Sequence, residues 1–392
     1  MLGACSSNPG KDSDTAGLRA RGGSGDQGYA PFGREAGSVY SGEAVATFAS
    51  TRGVQYGEEG ATLGIRGDYA GYPAADRLID KLAREEGFDR AYLERIFARV
   101  ERQQWILDFV NRPESKQPTG PTGAWTRYRA KFLTQDNISK GVNFWRRYDS
   151  VLQRAQAKYG VPPEYVVAII GVETRYGGYM GKHRVIDALA TLAFDYPPRS
   201  DFFAGELEAF LIMSRDEGFD PLQPRGSYAG AMGFGQFMPS SFHKWAVDFD
   251  ADGNRDLWDP VDTIGSVANY FASHGWREGE PVTIRARSTG APARALKTGY
   301  DTSYSLNTLS RNGILATAAL GAGDQVSLIK LDAMGGYEYW LGLKNFYVIT
   351  RYNHSSHYAM AVHQLAQAVR ARHGSASPVL TQGGPPGRKP VL

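Results

Sequence analysis

The chain reads as an α+β fold in which helix dominates, with one small β-rich region late in the sequence. Three observations carry this reading. Apolar residues recur at helical spacing from about residue 74 to residue 274, punctuated by Gly, Pro and capping residues. Between residues 278 and 350 the pattern changes to short β-type runs separated by turn signals. Helical spacing then returns over about His354–Arg372.

Residues 1–70 are rich in Gly and Ser and weakly patterned, so they read as a flexible tether, with order starting near Tyr72-Pro73. Two helical runs follow within 74–112, at Leu78–Leu82 and at Tyr92–Phe97; Gly87 stops the first and Asp89 can cap the second. The Pro/Gly stretch Pro113–Gly123 breaks the pattern. A second helical block extends from about Trp125 to Tyr159 and stops at Gly160. Pro162-Pro163 opens the next helix, because Pro in a first turn gives up an N–H that would be unpaired there anyway. Phe202–Glu217 is periodic and stops at Gly218; 224–247 is glycine-rich and then helical; Asp259-Pro260 opens a helix through about His274. In the β-type region Val282-Thr283-Ile284 and Gln325–Ile329 are strand candidates, and Asn312-Gly313 and Gly335-Gly336 are turns. The tail from Gly374 is rich in Pro and Gly and reads as disordered.

Bulk properties exclude several roles. A net charge of +3 on 392 residues argues against a dedicated nucleic-acid binder. The single cysteine, Cys5, rules out an intramolecular disulfide framework. Its context, Leu2-Gly3-Ala4-Cys5-Ser6-Ser7, resembles a bacterial lipobox, and the tether after it suits a lipoprotein. Lipid on Cys5 would hold the protein at a membrane without a spanning helix. The seven His show no zinc spacing, and no nucleophile elbow or Cys–His pair is present.

Three motifs carry chemistry. The first is Gly171-Val172-Glu173-Thr174-Arg175-Tyr176-Gly177. Val166, Ile169, Ile170 and Glu173 share the i, i+3, i+4, i+7 spacing, so Glu173 continues an apolar stripe. A carboxyl there is costly to ionise, and a raised pKa suits a general acid. The motif alone leaves open a purely structural ion pair to Arg175. The second is Asp248–Asp259, which matches a twelve-residue EF-hand loop. Asp248, Asp250, Asp252 and Asp259 are its candidate side-chain ligands, with a carbonyl from Asn254, and Asp256 direct or through water. Position 12 is Asp rather than Glu, whose shorter arm makes bidentate chelation harder. A lone loop fits a structural Ca²⁺ clip better than a sensor. The third is Gly226–Ser240, where glycines permit close approach to a ligand and no phosphate-loop Lys follows. Ser227 and Gln236 could bond sugar hydroxyls or amides, and Phe237 and Met238 could pack on a sugar face; taken alone, a tight structural turn explains the segment better.

Taken together, Gly-Val-Glu-Thr-Arg-Tyr-Gly, then Gly-Ala-Met-Gly-Phe-Gly-Gln-Phe-Met-Pro-Ser, then the acidic loop closing on Leu-Trp-Asp-Pro, then Ile349-Thr350-Arg351-Tyr352-Asn353-His354-Ser355, resemble the MltB-type lytic murein transglycosylases in the family's own order. The match spans roughly Tyr72 to Arg372. The resemblance implies a lysozyme-like core with an added helical lobe and a small β lobe. It divides the chain into a tether (1–70), an N-terminal helical lobe (71–135), a catalytic core (136–277) holding the loop 248–259, a β lobe (278–350), a returning helix (351–373) and a tail (374–392). It implies cleavage of the N-acetylmuramic acid to N-acetylglucosamine bond of peptidoglycan, leaving 1,6-anhydromuramoyl ends. By motif position Glu173 matches the family's single acid/base, and Ser227, Gln236, Phe237 and Met238 match groove residues. Tyr128, Arg199, Tyr270, Tyr352, Asn353 and Tyr358 lie in shorter segments resembling other groove positions. One departure is Pro197-Pro198-Arg199, a single Arg where a pair is expected, which weakens the implied contacts to a peptide or lactyl carboxylate.

Ordinary glycosidases flank the scissile bond with two carboxylates. Asp195, Asp201 and Glu206 are near Glu173 in sequence, but nothing marks one as a partner. The implied mechanism needs one carboxyl, with the substrate's N-acetyl and C6 hydroxyl groups supplying the rest. No catalytic cofactor is implied. The implied setting is the periplasm, with a monomer bound to glycan strands, anchored through Cys5 to the inner leaflet of the outer membrane and working beside other cell-wall enzymes. A hydrolytic muramidase of the same fold is the competing enzyme, and a non-catalytic Ca²⁺-dependent glycan binder the competing class.

Overall fold

The computed structural model describes residues 64–112, 122–290, 296–321 and 323–375. Cys5, most of the expected tether and the tail beyond Ser375 lie outside the described residues.

The N-terminal lobe holds α1 (Pro73–Glu85), α2 (Arg90–Phe97) and α3 (Gln104–Val110). Asp89 caps α2 by accepting from Tyr92 N at 2.7 Å, as its place after Gly87 implies. The single block expected from Trp125 to Tyr159 is instead three helices: α4 (Ala124–Arg129), α5 (Gln135–Arg147) and α6 (Asp149–Tyr159). Thr134 makes the first break, because its hydroxyl accepts from Asn137 N at 3.1 Å and starts α5 afresh. Gly160 ends α6 in the left-handed region, at φ 69°.

At the centre runs α7 (Pro163–Thr174), packed against α5, α6, α11 (Pro260–Ser273) and α14 (Ser356–Ser375). Every residue of α7 except Glu173 is buried. The expected apolar stripe is thus a helix enclosed on all sides, and Glu173 is its one opening to solvent. Between α7 and α11 lie β1 (His183–Arg184), α8 (Val185–Asp195), α9 (Ser200–Asp216), β2 (Arg225–Gly226) and α10 (Pro239–Trp245). Sequence periodicity misses α8, whose narrow polar stripe of Asp187, Thr191 and Asp195 is covered by the chain: Asp187 accepts from Glu101 N, Thr191 Oγ1 from Gln103 N, and Asp195 pairs with Arg102.

The β lobe follows as β3 (Thr283–Ser288), β4 (Tyr304–Ser305), α12 (Leu306–Arg311), β5 (Ile314–Ala316), β6 (Gln325–Ala333) and β7 (Gly336–Gly342). Its antiparallel sheet has the order β4-β6-β7-β3-β5. Gly335-Gly336 forms the β6–β7 turn, with Ala333 opposite Gly336. One face packs on a small cluster around Leu309, Ile314, Leu328 and Leu341. Ile329 and Leu331 belong to the main core, which runs from Ile65 to Val369. Chain then passes through α13 (Lys344–Tyr352), which starts earlier than the expected end of the β region, and returns as α14 along α7.

Candidate active site

Glu173 sits in the last turn of α7, half-buried. Tyr358 of α14 donates its hydroxyl to Glu173 Oε1 at 2.5 Å. Burial raises the carboxyl to about 7, against the smaller lowering effect of the Tyr358 bond. No cationic side chain or second carboxylate contributes to that shift. The alternative ion pair to Arg175 is not formed: Arg175 is exposed, in the left-handed region at the helix C-cap. Tyr358 stays protonated, held far above its ordinary value by burial and then by the Glu173 charge, so it is a donor throughout.

The rest of the motif builds this setting. Arg175, Tyr176 and Gly177 all have positive φ, at 51°, 63° and 84°. The two non-glycine residues, Arg175 and Tyr176, store strain there, which the packing around them must hold, while Gly177 takes the third left-handed position without cost. A Cβ on Gly177 would meet the Phe234 ring at 2.2 Å, and one on Gly171 would meet Tyr176 Oη at 2.4 Å. Thr174 Oγ1 lies 3.0 Å from Phe234 O and accepts from Gly177 N at 3.0 Å. The end of α7 is therefore locked to the glycine-rich segment.

That segment brings several predicted groove residues together. Gln236, itself at φ 52°, commits its amide hydrogens to Gly233 O (2.9 Å) and Met180 O (3.3 Å), which leaves its Oε1 as an acceptor. Phe237 and Met238 are buried, and Phe237 packs on Tyr270 and Tyr352 at ring distances of 5.9 and 5.8 Å. The Tyr352 and Tyr270 hydroxyls donate to Gly235 O (2.5 Å) and Arg351 O (2.6 Å), and with Phe237 their rings brace the glycine-rich segment. Ser227 Oγ accepts from Ala229 N and Ala231 N, which makes it a turn-holding residue first. Asn353 is buried with its Oδ1 lacking a partner among the described residues. Arg199 lies over Phe202 at 4.3 Å and contributes to the field at Tyr228 and Glu206.

Tyr128, on α4, feels the Glu173 charge and stacks near Trp125 and His357. Its helix is held from the β lobe. Asp332 of β6 accepts from Thr122 N (3.0 Å), Thr122 Oγ1 (2.6 Å), Gly123 N (3.0 Å) and Ala124 N (3.3 Å). Sequence reasoning has no signal for this clamp, which joins residues about two hundred positions apart.

The carboxylates near Glu173 in sequence are engaged elsewhere. Asp195 pairs with Arg102 at 3.0 Å, Glu206 accepts from Ser240 N and Oγ at the start of α10, and Asp201 is exposed.

The acidic loop differs in its closing residue. Carboxylate oxygens of Asp248, Asp250 and Asp262 lie within 4.8 Å of one another. Asp259, expected at position 12, instead caps α11 by accepting from Val261 N at 2.6 Å. Asp262, one turn further on, points back and accepts from Phe249 N and Asp256 N. Asp256 and Asp252 accept from Trp258 N and Asn254 N and lie outside the three-carboxylate group. The Asp259-Pro260 pair was the available clue, because an N-cap carboxylate is already committed to its own helix. Gly253, at loop position 6, has φ 97°, as the sharp EF-hand turn requires. Converging hard oxygen donors suit Ca²⁺. Burial, with Asp250 and Asp259 adding to it, carries Asp262 up to about 6.

A buried helix ending in one high-pKa carboxyl, braced by a glycine-rich turn and an acidic loop, defines a glycan-cleaving enzyme with a lysozyme-like core. The chain belongs to the family of the transglycosylase SLT domain, whose family model matches residues 71–367. It is 53% identical over 307 residues to membrane-bound lytic murein transglycosylase B of Escherichia coli (strain K12), covering 77% of this chain and 84% of that protein. The E. coli lytic transglycosylase SLT35 in complex with calcium is 52% identical with a TM-score of 0.75, covering 80% of this chain and 97% of that one. SltB3 of Pseudomonas aeruginosa in complex with NAG-anhNAM-pentapeptide is 32% identical with a TM-score of 0.66, covering 76% and 78%.

Proposed function

We propose that this chain is a peptidoglycan lytic transglycosylase that cleaves the MurNAc-β-1,4-GlcNAc bond and leaves 1,6-anhydromuramoyl ends, with Glu173 as its single acid and base. The observation that carries this is a carboxyl raised to about 7 by burial and, among the described residues, bonded only by Tyr358 with no second carboxylate acting on it. Protonated Glu173 gives its proton to the leaving oxygen as the C1–O bond breaks, and the substrate's N-acetyl oxygen supports C1. The Glu173 carboxylate then takes the proton of the C6 hydroxyl while O6 bonds to C1. One group can serve both steps because its pKa lies near the working pH. Tyr358, always a donor, steadies the ionised form between them.

Around this centre, the Oε1 of Gln236 and the unpaired Oδ1 of Asn353 are acceptors suited to acetamide N–H or hydroxyl groups. Tyr128, Phe237, Met238, Tyr270 and Tyr352 form the apolar wall, Ser227 holds the turn, and Arg199 supplies positive charge for a carboxylate. Ca²⁺ would be held by Asp248, Asp250 and Asp262 and would act on stability alone; the SLT35 calcium complex supports Ca²⁺ as the ion. The membrane-bound relative and the Cys5 context support a periplasmic enzyme tethered to the outer membrane by lipid. Among the described residues no helix is long and apolar enough to cross a membrane.

Mass spectrometry of products from purified peptidoglycan tests the reaction. Products lacking one water relative to reducing-end fragments are expected. Reducing ends would identify a hydrolase, and an unchanged polymer would point to a binding protein.

A further inference from the structure

We propose that Trp105, whose ring leans on that of His183, is a sugar-binding platform that extends the substrate groove away from the reacting bond and takes an N-acetylhexosamine ring of the glycan strand. The proposal rests on the reading of this protein as a glycan-cleaving enzyme. Trp105 on α3 is 38% exposed, whereas the other six tryptophans are buried or half-buried. Its ring lies 4.5 Å from the His183 imidazole, and its indole N–H donates to Gln103 Oε1 at 3.1 Å. The indole is thus held in one orientation with part of its apolar surface open to water.

The platform is continuous with the groove. His183 of β1 pairs with Gly226 of β2, Gly226 bridges to Met232, and Met232 bridges to Phe237 on the groove floor. Three such steps cover about 15 Å at the usual spacing between paired strands. A second line runs beside the first. Phe109, one turn along α3 from Trp105, meets the ring of Tyr228 edge-on at 4.9 Å, next to Ser227. The segment that joins Glu173 to His183 forms the wall between them: Met180 O accepts from Gln236, and a Cβ on Gly181 would lie 2.1 Å from the Gly226 carbonyl.

An exposed indole recognises a pyranose through its C–H face. Apolar area is buried on both partners while the sugar hydroxyls keep their water. Because the ring is already oriented, little side-chain freedom is lost on binding. A ring seated here lies several sugars from the bond cut at Glu173, so the platform serves long strands and leaves short fragments unaffected.

The test uses the full chain carrying Glu173→Gln, so that nothing is turned over, with N-acetylglucosamine dimer and hexamer as probes in titration calorimetry. Trp105→Ala is expected to weaken hexamer binding roughly three- to tenfold, the range for one aromatic stacking contact. Dimer binding is expected to be unchanged, and Trp105→Phe to recover most of the hexamer affinity. Trp105→Gln, a flexible polar side chain with no aromatic face, should behave as Trp105→Ala with an unaltered melting curve. Equal hexamer affinity with and without the indole overturns the platform, as does an equal loss for dimer and hexamer. If the Glu173→Gln protein with Trp105 intact binds neither oligomer, the glycan reading of the groove fails and takes the platform with it.

Discussion

Replacing Glu173 by Gln separates the physical origin of its pKa from its role in turnover. Gln keeps the size of the side chain and an oxygen for the Tyr358 hydroxyl, but it cannot ionise. In the native protein the carboxyl is carried from its ordinary 4.5 to about 7, chiefly by burial. At about 1.4 kcal/mol per pH unit this amounts to at most about 3 kcal/mol, a ceiling because the side chain is partly open to solvent. The sign follows from which state holds the proton. Below 4.5 the group is protonated in both states and costs nothing. As pH rises the unfolded chain releases its proton first, while the folded chain keeps it until about 7. Stability therefore falls across that window and is level above it. Denaturant unfolding at pH 4 and pH 8 should show Glu173→Gln gaining about 2–3 kcal/mol on the native protein between the two conditions. Any pH-independent effect of the substitution cancels in this comparison. Activity should fall at least about a thousandfold, because the lone acid and base is gone. A stability difference that does not change with pH would refute the desolvation argument, and near-normal turnover would refute the catalytic assignment.

Tyr358→Phe removes the hydrogen bond that lowers the Glu173 pKa, so the alkaline limb of the kcat/KM profile should move upward from about 7; an unmoved limb would count against the contact. Chelator, or Asp262→Asn, should lower the melting temperature while activity at low temperature persists; a melting curve indifferent to both would leave the loop without an ion. Gly177→Ala should destabilise the fold by about 2 kcal/mol or more, since it adds a Cβ in a left-handed residue pressed against Phe234, and denaturant midpoints measure this. Asp332→Ala removes four hydrogen bonds from the start of α4 and should cost about 1–2 kcal/mol. Steady-state kinetics should show a raised KM with kcat less affected, because Tyr128 is displaced while Glu173 stays in place.

Much of this architecture was legible where local chemistry decides it. Pro163 starts α7, Gly160 and Gly218 stop helices, Asp89 caps α2 and Asn312-Gly313 turns the chain, all as their side chains dictate. The reading weakened wherever burial was complete. The polar stripe of α8 is covered by residues 101–103, and the spacing that sets Glu173 on an apolar stripe does not reveal that its whole helix is enclosed. Long-range partners were the least visible. Nothing local indicates that Tyr358 bonds Glu173, that Asp332 fixes the helix of Tyr128, or that Asp262 and not Asp259 closes the acidic cluster.

The Asp332 clamp has a consequence for how the protein comes into being. During synthesis the helix of Tyr128 emerges early, but the carboxylate that fixes its first turn is made about two hundred residues later. Tyr358, which hydrogen-bonds Glu173, arrives later still, on a helix that lies along α7. A nascent or truncated chain ending before these residues carries the reactive carboxyl without its surroundings. The setting of the reactive carboxyl is therefore complete only once α14 has docked along α7.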